Sequence, residues 1–225
     1  MKLTVAIIVV AFSWSVSGQG TFQNLNFEAA NLAPIPAGQF GGYVPITSAL
    51  PGWTGYLGST QVTQVLQNNL TLGAASIDIL GPNWSYGVII EGQYTVVLQP
   101  GTATLSGCGG LVSASISQMG FVPADALSLQ FKAETFSAFS VSLGGENLSL
   151  IPLGTGANYT LYGADISSLA GQVETLTITA LAAPNTAEYF DSFDFSPSEV
   201  PEPSIVALTA IGGLVFGARK WFARR

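Results

Sequence analysis

The residues able to do chemistry are few. The chain of 225 residues has no histidine and one cysteine. Without an imidazole there is no Ser-His or Cys-His nucleophile pair, no His-ligated zinc, and no use of the commonest general base. Cys108 lies in Ser106-Gly107-Cys108-Gly109-Gly110 and has no partner for an intramolecular disulfide. A reactive thiol or an intermolecular bridge stays open beside the plainer reading of a small hydrophobe in a glycine-rich turn. That leaves carboxylates. Asp191 and Asp194 stand three apart on a strand pattern, so they face opposite sides and cannot flank a scissile bond as a glycosidase pair must. Spacing alone does not pair Glu91 with Glu134.

Four aromatics fall in expected loops: Trp53, Tyr56, Trp84 and Tyr86. An aromatic face stacks on a sugar ring, which makes Trp84, Tyr86 and Trp53 candidate glycan contacts. For Trp53, which follows Pro51-Gly52, the competing expectation is packing beneath a loop. Asn69, Asn83, Asn147 and Asn158 each open an Asn-x-Ser/Thr triplet, which we read as chance in an Asn/Ser/Thr-rich chain.

The elements that must hold these residues read as short strands. Leu127, Leu129, Phe131 and Ala133 alternate with Ser128, Gln130, Lys132 and Glu134. Phe139, Val141 and Leu143 alternate with serines, and Gly144-Gly145 then makes a tight hairpin turn toward Leu148 and Leu150. Thr175–Ala180 alternates in the same way. Further strands are expected at Thr21–Phe27, Gln61–Leu66, Ser76–Leu80, Tyr94–Gln99, Ser113–Gln118, Tyr159–Tyr162 and Tyr189–Phe195. About ten short strands with Gly/Pro punctuation indicate one all-β antiparallel sandwich. No second domain and no long helix pattern appears.

Both ends read as targeting segments. Lys2, the apolar run Leu3–Phe12 and the small residues Ser13–Gly18 form the three regions of a signal peptide, 1–18, with Gln19 as the first mature residue. At the other end, 197–225, Val200-Pro201-Glu202-Pro203-Ser204 precedes an uncharged stretch to Ala218. That stretch would make a transmembrane helix of roughly 22 Å, shorter than the roughly 30 Å hydrocarbon core. Arg219, Lys220, Arg224 and Arg225 form a basic stop that keeps this end cytoplasmic. Residues 19–196 are then an exported ectodomain, with 196–200 as a stalk. Of the six basic residues only Lys132 lies in 19–203, against all 13 acidic ones, a net charge of −12. Such a field excludes nucleic acid. It also repels an anionic polysaccharide unless divalent cations bridge the two.

The order Pro201-Glu202-Pro203, short apolar helix, Arg-rich end resembles the PEP-CTERM sorting signal. That resemblance implies export to the inner membrane of a Gram-negative bacterium, removal of the tail by the membrane protease-transpeptidase exosortase, and delivery to the outer surface or matrix with exopolysaccharide. Membrane contact through residues 204–222 would precede processing.

Leu25-Asn26-Phe27-Glu28, Pro51-Gly52-Trp53, Asn158–Ile166 with Ala170-Gly171, and Asp191-Ser192-Phe193-Asp194-Phe195 resemble pieces of the galactose-binding-like jelly roll. In that fold the first and last strands are neighbours and often hold a structural calcium, which would place Glu28 and Asp191 as ligands. The competing expectation is two carboxylates capping turns. Calcium needs six to eight oxygens, so backbone carbonyls would complete its shell. The first reading of function is a non-enzymatic envelope or extracellular-matrix protein associated with exopolysaccharide or biofilm. The alternative is a carbohydrate-binding module, which requires an exposed coplanar aromatic pair. A hydrolase comes third.

Overall fold

The computed structural model describes residues 21–71, 73–103 and 109–201. The expected signal peptide, Cys108, Glu202, Pro203, Ser204 and the basic stop Arg219, Lys220, Arg224 and Arg225 lie outside the described residues. Among the described residues no helix is long and apolar enough to cross a membrane.

The chain is all-β. In order it forms β1 (Tyr43–Pro45), one helical turn α1 (Ile46–Ala49), β2 (Thr54–Leu57), β3 (Thr60–Val62), β4 (Gln64–Gln67), β5 (Ser76–Leu80), β6 (Thr95–Gln99), β7 (Gly101–Thr102), β8 (Leu111–Val112) and β9 (Ala114–Phe121). Then come β10 (Ser128–Glu134), β11 (Phe139–Leu143), β12 (Glu146–Asn147), β13 (Ile151–Thr155), β14 (Thr160–Asp165), β15 (Val173–Ala180) and β16 (Glu188–Ser196). The larger sheet runs β1-β4-β5-β6-β16-β10-β14-β13, and the smaller β12-β11-β15-β9-β2-β3.

The core fills the space between them. Ile77, Ile79, Val96, Leu98, Leu129, Phe131 and Phe190 face inward from one sheet. Ile116, Val141, Leu143, Leu176 and Ile178 face them from the other. Burying each such side chain is worth about 1.5–3 kcal/mol. The alternation at Leu127–Glu134 gives β10, with Phe131 inside and Lys132 on the other face. The glycine pair forms the expected two-residue hairpin. Gly144 and Gly145 have φ of +65° and +85°, and Leu143 pairs with Glu146.

Four expectations need correction. Thr21–Phe27 is not a strand. Asn24 and Phe27 sit at φ +49° and +59°, which coils the segment and turns the Phe27 ring into the core. Gln61–Leu66 is two strands: the chain leaves the smaller sheet after Val62 and enters the larger at Gln64. β4 then pairs with β5 in parallel, so the sandwich is not wholly antiparallel. Finally, the segment after β16 is no free stalk. Ser128 Oγ donates to the Ser198 carbonyl at 2.7 Å, and Val200 is buried beside Gly163. Its methyl lies 3.2 Å from where a Gly163 Cβ would stand, so the missing side chain makes room for it.

The outer face of the larger sheet is partly covered by a second layer. Asp78, Val97, Tyr189 and Glu134 stand level with one another on that face, on β5, β6, β16 and β10. Its Leu80 end lies under residues 81–94. Leu80, Ile90, Val97 and Tyr189 make a second small apolar cluster there, with Trp84, Val88, Ile89, Leu70 and Tyr159 packed on it.

Candidate functional site

Residues 81–94 form a long connection between β5 and β6, fixed at both ends. At its start the Gly81 N–H donates to Asn68 Oδ1 at 2.7 Å, and Asn68 Nδ2 donates to the Pro82 carbonyl at 3.1 Å. At its end the Gln93 and Tyr94 N–H groups both donate to Glu28 Oε1 at 2.9 Å. The Glu91 N–H and the Thr95 hydroxyl donate to Asp191 Oδ2 at 3.3 and 2.7 Å. Thr95 Oγ1 in turn accepts from the Ile90 N–H at 2.9 Å. With its backbone groups paired in this way, the connection holds its side chains in fixed places.

Those side chains build an aromatic cluster. The Tyr86 ring stacks on Phe40, with centroids 5.1 Å apart and 16° between planes. Trp84 stands edge-on to both, 5.5 Å from Tyr86 and 6.1 Å from Phe40. Phe40 and Tyr86 remain 58% and 57% exposed. A ring covered on one face yet more than half exposed has its other face open. The pair is near-parallel but stacked, not side by side in one plane, so a ligand meets one free face per ring. Trp84 is half-buried, and its indole Nε1–H is buried without a partner among the described residues. The three rings include no charged side chain.

Phe40 is the contributor that the pattern of residues did not reveal. It precedes Gly41, whose N–H donates to the Asn68 carbonyl at 3.1 Å and whose carbonyl accepts from Asn69 Nδ2 at 2.8 Å. A Cβ on Gly41 would overlap the Gln67 carbonyl oxygen, so only glycine fits. That close approach brings Phe40 against Tyr86. The available signal was a lone aromatic in the glycine-flanked run Gly38-Gln39-Phe40-Gly41-Gly42.

Trp53, weighed between a third sugar contact and packing beneath a loop, belongs to the core. It is 4% exposed, packs on Phe27 and Phe193, and donates Nε1–H to the Asn24 carbonyl at 3.1 Å. The Pro51-Gly52 turn points it inward. Tyr56 lies on β2 of the smaller sheet, not in a loop.

Glu28 and Asp191 do come to one turn, residues 91–94. What meets them there is N–H and O–H donors, two on Glu28 Oε1 and two on Asp191 Oδ2. Among the described residues no group of three or more acidic side chains or thiols gathers as a metal site. Burial pushes the Asp191 carboxyl up to about 7, against its hydrogen bonds. Next to it, Lys132 Nζ lies 2.6 Å from Glu91 Oε1 and 5.2 Å from the Tyr159 ring centre. The Ser192 hydroxyl also donates to Glu91. The hydrogen bond from Lys132, then that from Ser192, holds the Glu91 carboxyl below its ordinary range. The pair of carboxylates, Glu28 and Asp191, is thus a double cap on the turn that ends the aromatic connection.

No family model matches the chain, and no curated protein matches it. Among solved structures the chain is similar to the carbohydrate-binding module TmCBM61, solved in complex with beta-1,4-galactotriose. The likeness has a TM-score of 0.43 at 12% sequence identity and covers 78% of this chain and 96% of that one.

Proposed function

We propose that this is a non-catalytic carbohydrate-binding protein of the cell exterior, and that Phe40, Tyr86 and Trp84 are its glycan platform. The observation that carries the reading is the exposed, charge-free aromatic cluster on a connection braced at both ends. Exposed rings held rigidly stack on the C–H faces of sugars at little entropic cost. The tail supplies delivery: Val200-Pro201-Glu202-Pro203-Ser204 as the exosortase recognition motif, 204–222 as a temporary membrane anchor, and exopolysaccharide of the matrix as the ligand's source.

The test is binding of the full-length chain to immobilised neutral polysaccharides and a glycan array. Tyr86→Ala and Phe40→Ala should each weaken the best ligand about tenfold or more, equivalent to about 1.4 kcal/mol, while Tyr56→Ala leaves it unchanged. Binding that survives both platform substitutions would move the site elsewhere. Delivery is tested separately, by mass spectrometry of surface protein from the native host. Recovery of chains still ending at Arg225 would reduce the tail to a plain anchor.

A further inference from the structure

We propose that the bound glycan continues past the aromatic platform into a second subsite on the same sheet face, so that the ligand is an internal stretch of a neutral polysaccharide chain and not a terminal sugar. This rests on the platform reading above.

The second subsite is a cavity of about 580 Å³ at the other end of the strand pair that carries the platform. Leu80 pairs with Thr95 at the platform end of β5 and β6, and Ser76 pairs with Gln99 at the cavity end. Four residues of strand separate the two ends, roughly 13 Å. The two sites are joined by shared side chains. Leu70 packs in the cluster beneath Trp84 and also lines the cavity. Tyr189 lies in that same cluster, and Phe136, on the cavity wall, stands edge-on to it at 6.2 Å.

The chemistry of the cavity repeats that of the platform and adds hydrogen bonding. Phe136 is 66% exposed, a second open ring. Gln99 is 4% exposed, and its amide donates to Ser76 Oγ at 2.7 Å and to Asp78 Oδ2 at 2.6 Å. Both amide protons are used, so the Gln99 carbonyl oxygen is the acceptor fixed for a ligand hydroxyl. Asn185 adds an exposed amide at the rim. Among the described residues no charged side chain lines the cavity, although the region 19–203 carries 13 acidic residues against one basic. Uncharged amides beside an open aromatic ring suit a neutral sugar, and two such sites on one face suit a chain.

The experiment is calorimetric titration of the full-length chain with neutral gluco-, galacto-, xylo- and manno-oligosaccharides of one to six units. Affinity should rise at least tenfold between the disaccharide and the longest member of the series that binds. Phe136→Ala and Asn185→Gly should erase that gain and leave disaccharide binding unchanged. Both positions are exposed, and glycine keeps the φ of +53° found at Asn185. Tyr86→Ala should weaken every length. Affinity independent of length, or long-chain affinity unchanged by both cavity substitutions, overturns the second subsite while the platform stands. No binding by any member overturns both.

Discussion

Asp78→Asn should make the protein more stable at alkaline pH. Asp78 is fully buried, on the outer face of β5 but sealed from water. Ser76 Oγ and Gln99 Nε2 donate to its Oδ2 at 2.7 and 2.6 Å, and its Oδ1 has no partner among the described residues. Burial outweighs those two bonds and pushes the carboxyl up to about 7 from 3.8. A raised acid stabilises the fold while it stays protonated. Its contribution is therefore complete below about pH 4 and is lost as pH rises toward 7, because the folded chain then holds a proton that the unfolded chain has released. A rise of this size corresponds to about 4 kcal/mol, an upper figure, at about 1.36 kcal/mol for each tenfold change in proton affinity. At about 2–4 °C per kcal/mol for a domain of this size, the wild type should lose about 8–16 °C between pH 4 and pH 8 through this group alone. The asparagine side chain keeps the acceptor oxygen and cannot ionise. The assay is thermal unfolding of both proteins from pH 4 to pH 9. Their melting temperatures should diverge as pH rises, with the variant higher at pH 8. Parallel profiles across that window would refute the burial argument.

The packing sets other outcomes. Phe131→Asp should unfold the domain, since the ring stacks on Phe193 at 4.8 Å and on Tyr162 at 5.6 Å in the core. Lys132→Asp, on the opposite face, should cost about 1–2 kcal/mol because it replaces the partner of Glu91 with a third carboxylate beside Asp191; equal losses of melting temperature in the two variants would contradict the register. Gly92→Ala should destabilise and loosen the aromatic connection, as its φ is +61° and a Cβ would overlap Glu28 Oε1; unchanged amide exchange at Gln93 and Tyr94 would sink the cap. Added EDTA should leave the melting temperature unmoved, and a fall would restore calcium to Glu28 and Asp191.

Alternation made most of the sandwich readable. Ser76–Leu80 and Phe139–Leu143 come out with the expected bounds because each has one face in the core, which fixes the period. Thr21–Phe27 failed because two residues at positive φ break the alternation in space while leaving it in the sequence. Gln61–Leu66 failed because a corner between two sheets leaves no mark on a period of two. At the site, Tyr86 and Trp84 were legible as loop aromatics, while Trp53 was left between sugar contact and packing beneath a loop, since its fate depends on which way a Pro-Gly turn points. Phe40 was invisible because the contact that places it spans 46 residues of chain, from Phe40 to Tyr86. Glu28 and Asp191 both accept from the turn that ends the connection, through donors that are mostly backbone groups, which a sequence does not display.

The position of β16 has a mechanical consequence. Among the described residues it is the last strand, and it lies between β6 and β10 inside the eight-stranded sheet. Any load taken up by the C-terminal tail enters the domain along this strand. The platform hangs on the connection between β5 and β6, the strands on one side of it. β6 and β16 are antiparallel and Phe190 pairs with Val96, so the aromatic connection and the chain beyond Ser196 leave this ladder at the same end. A pull at Ser196 is resisted by ladders on both sides of β16, to β6 and to β10, where an edge strand would have one. A load entering through β16 therefore strains an interior seam of the sheet rather than its margin.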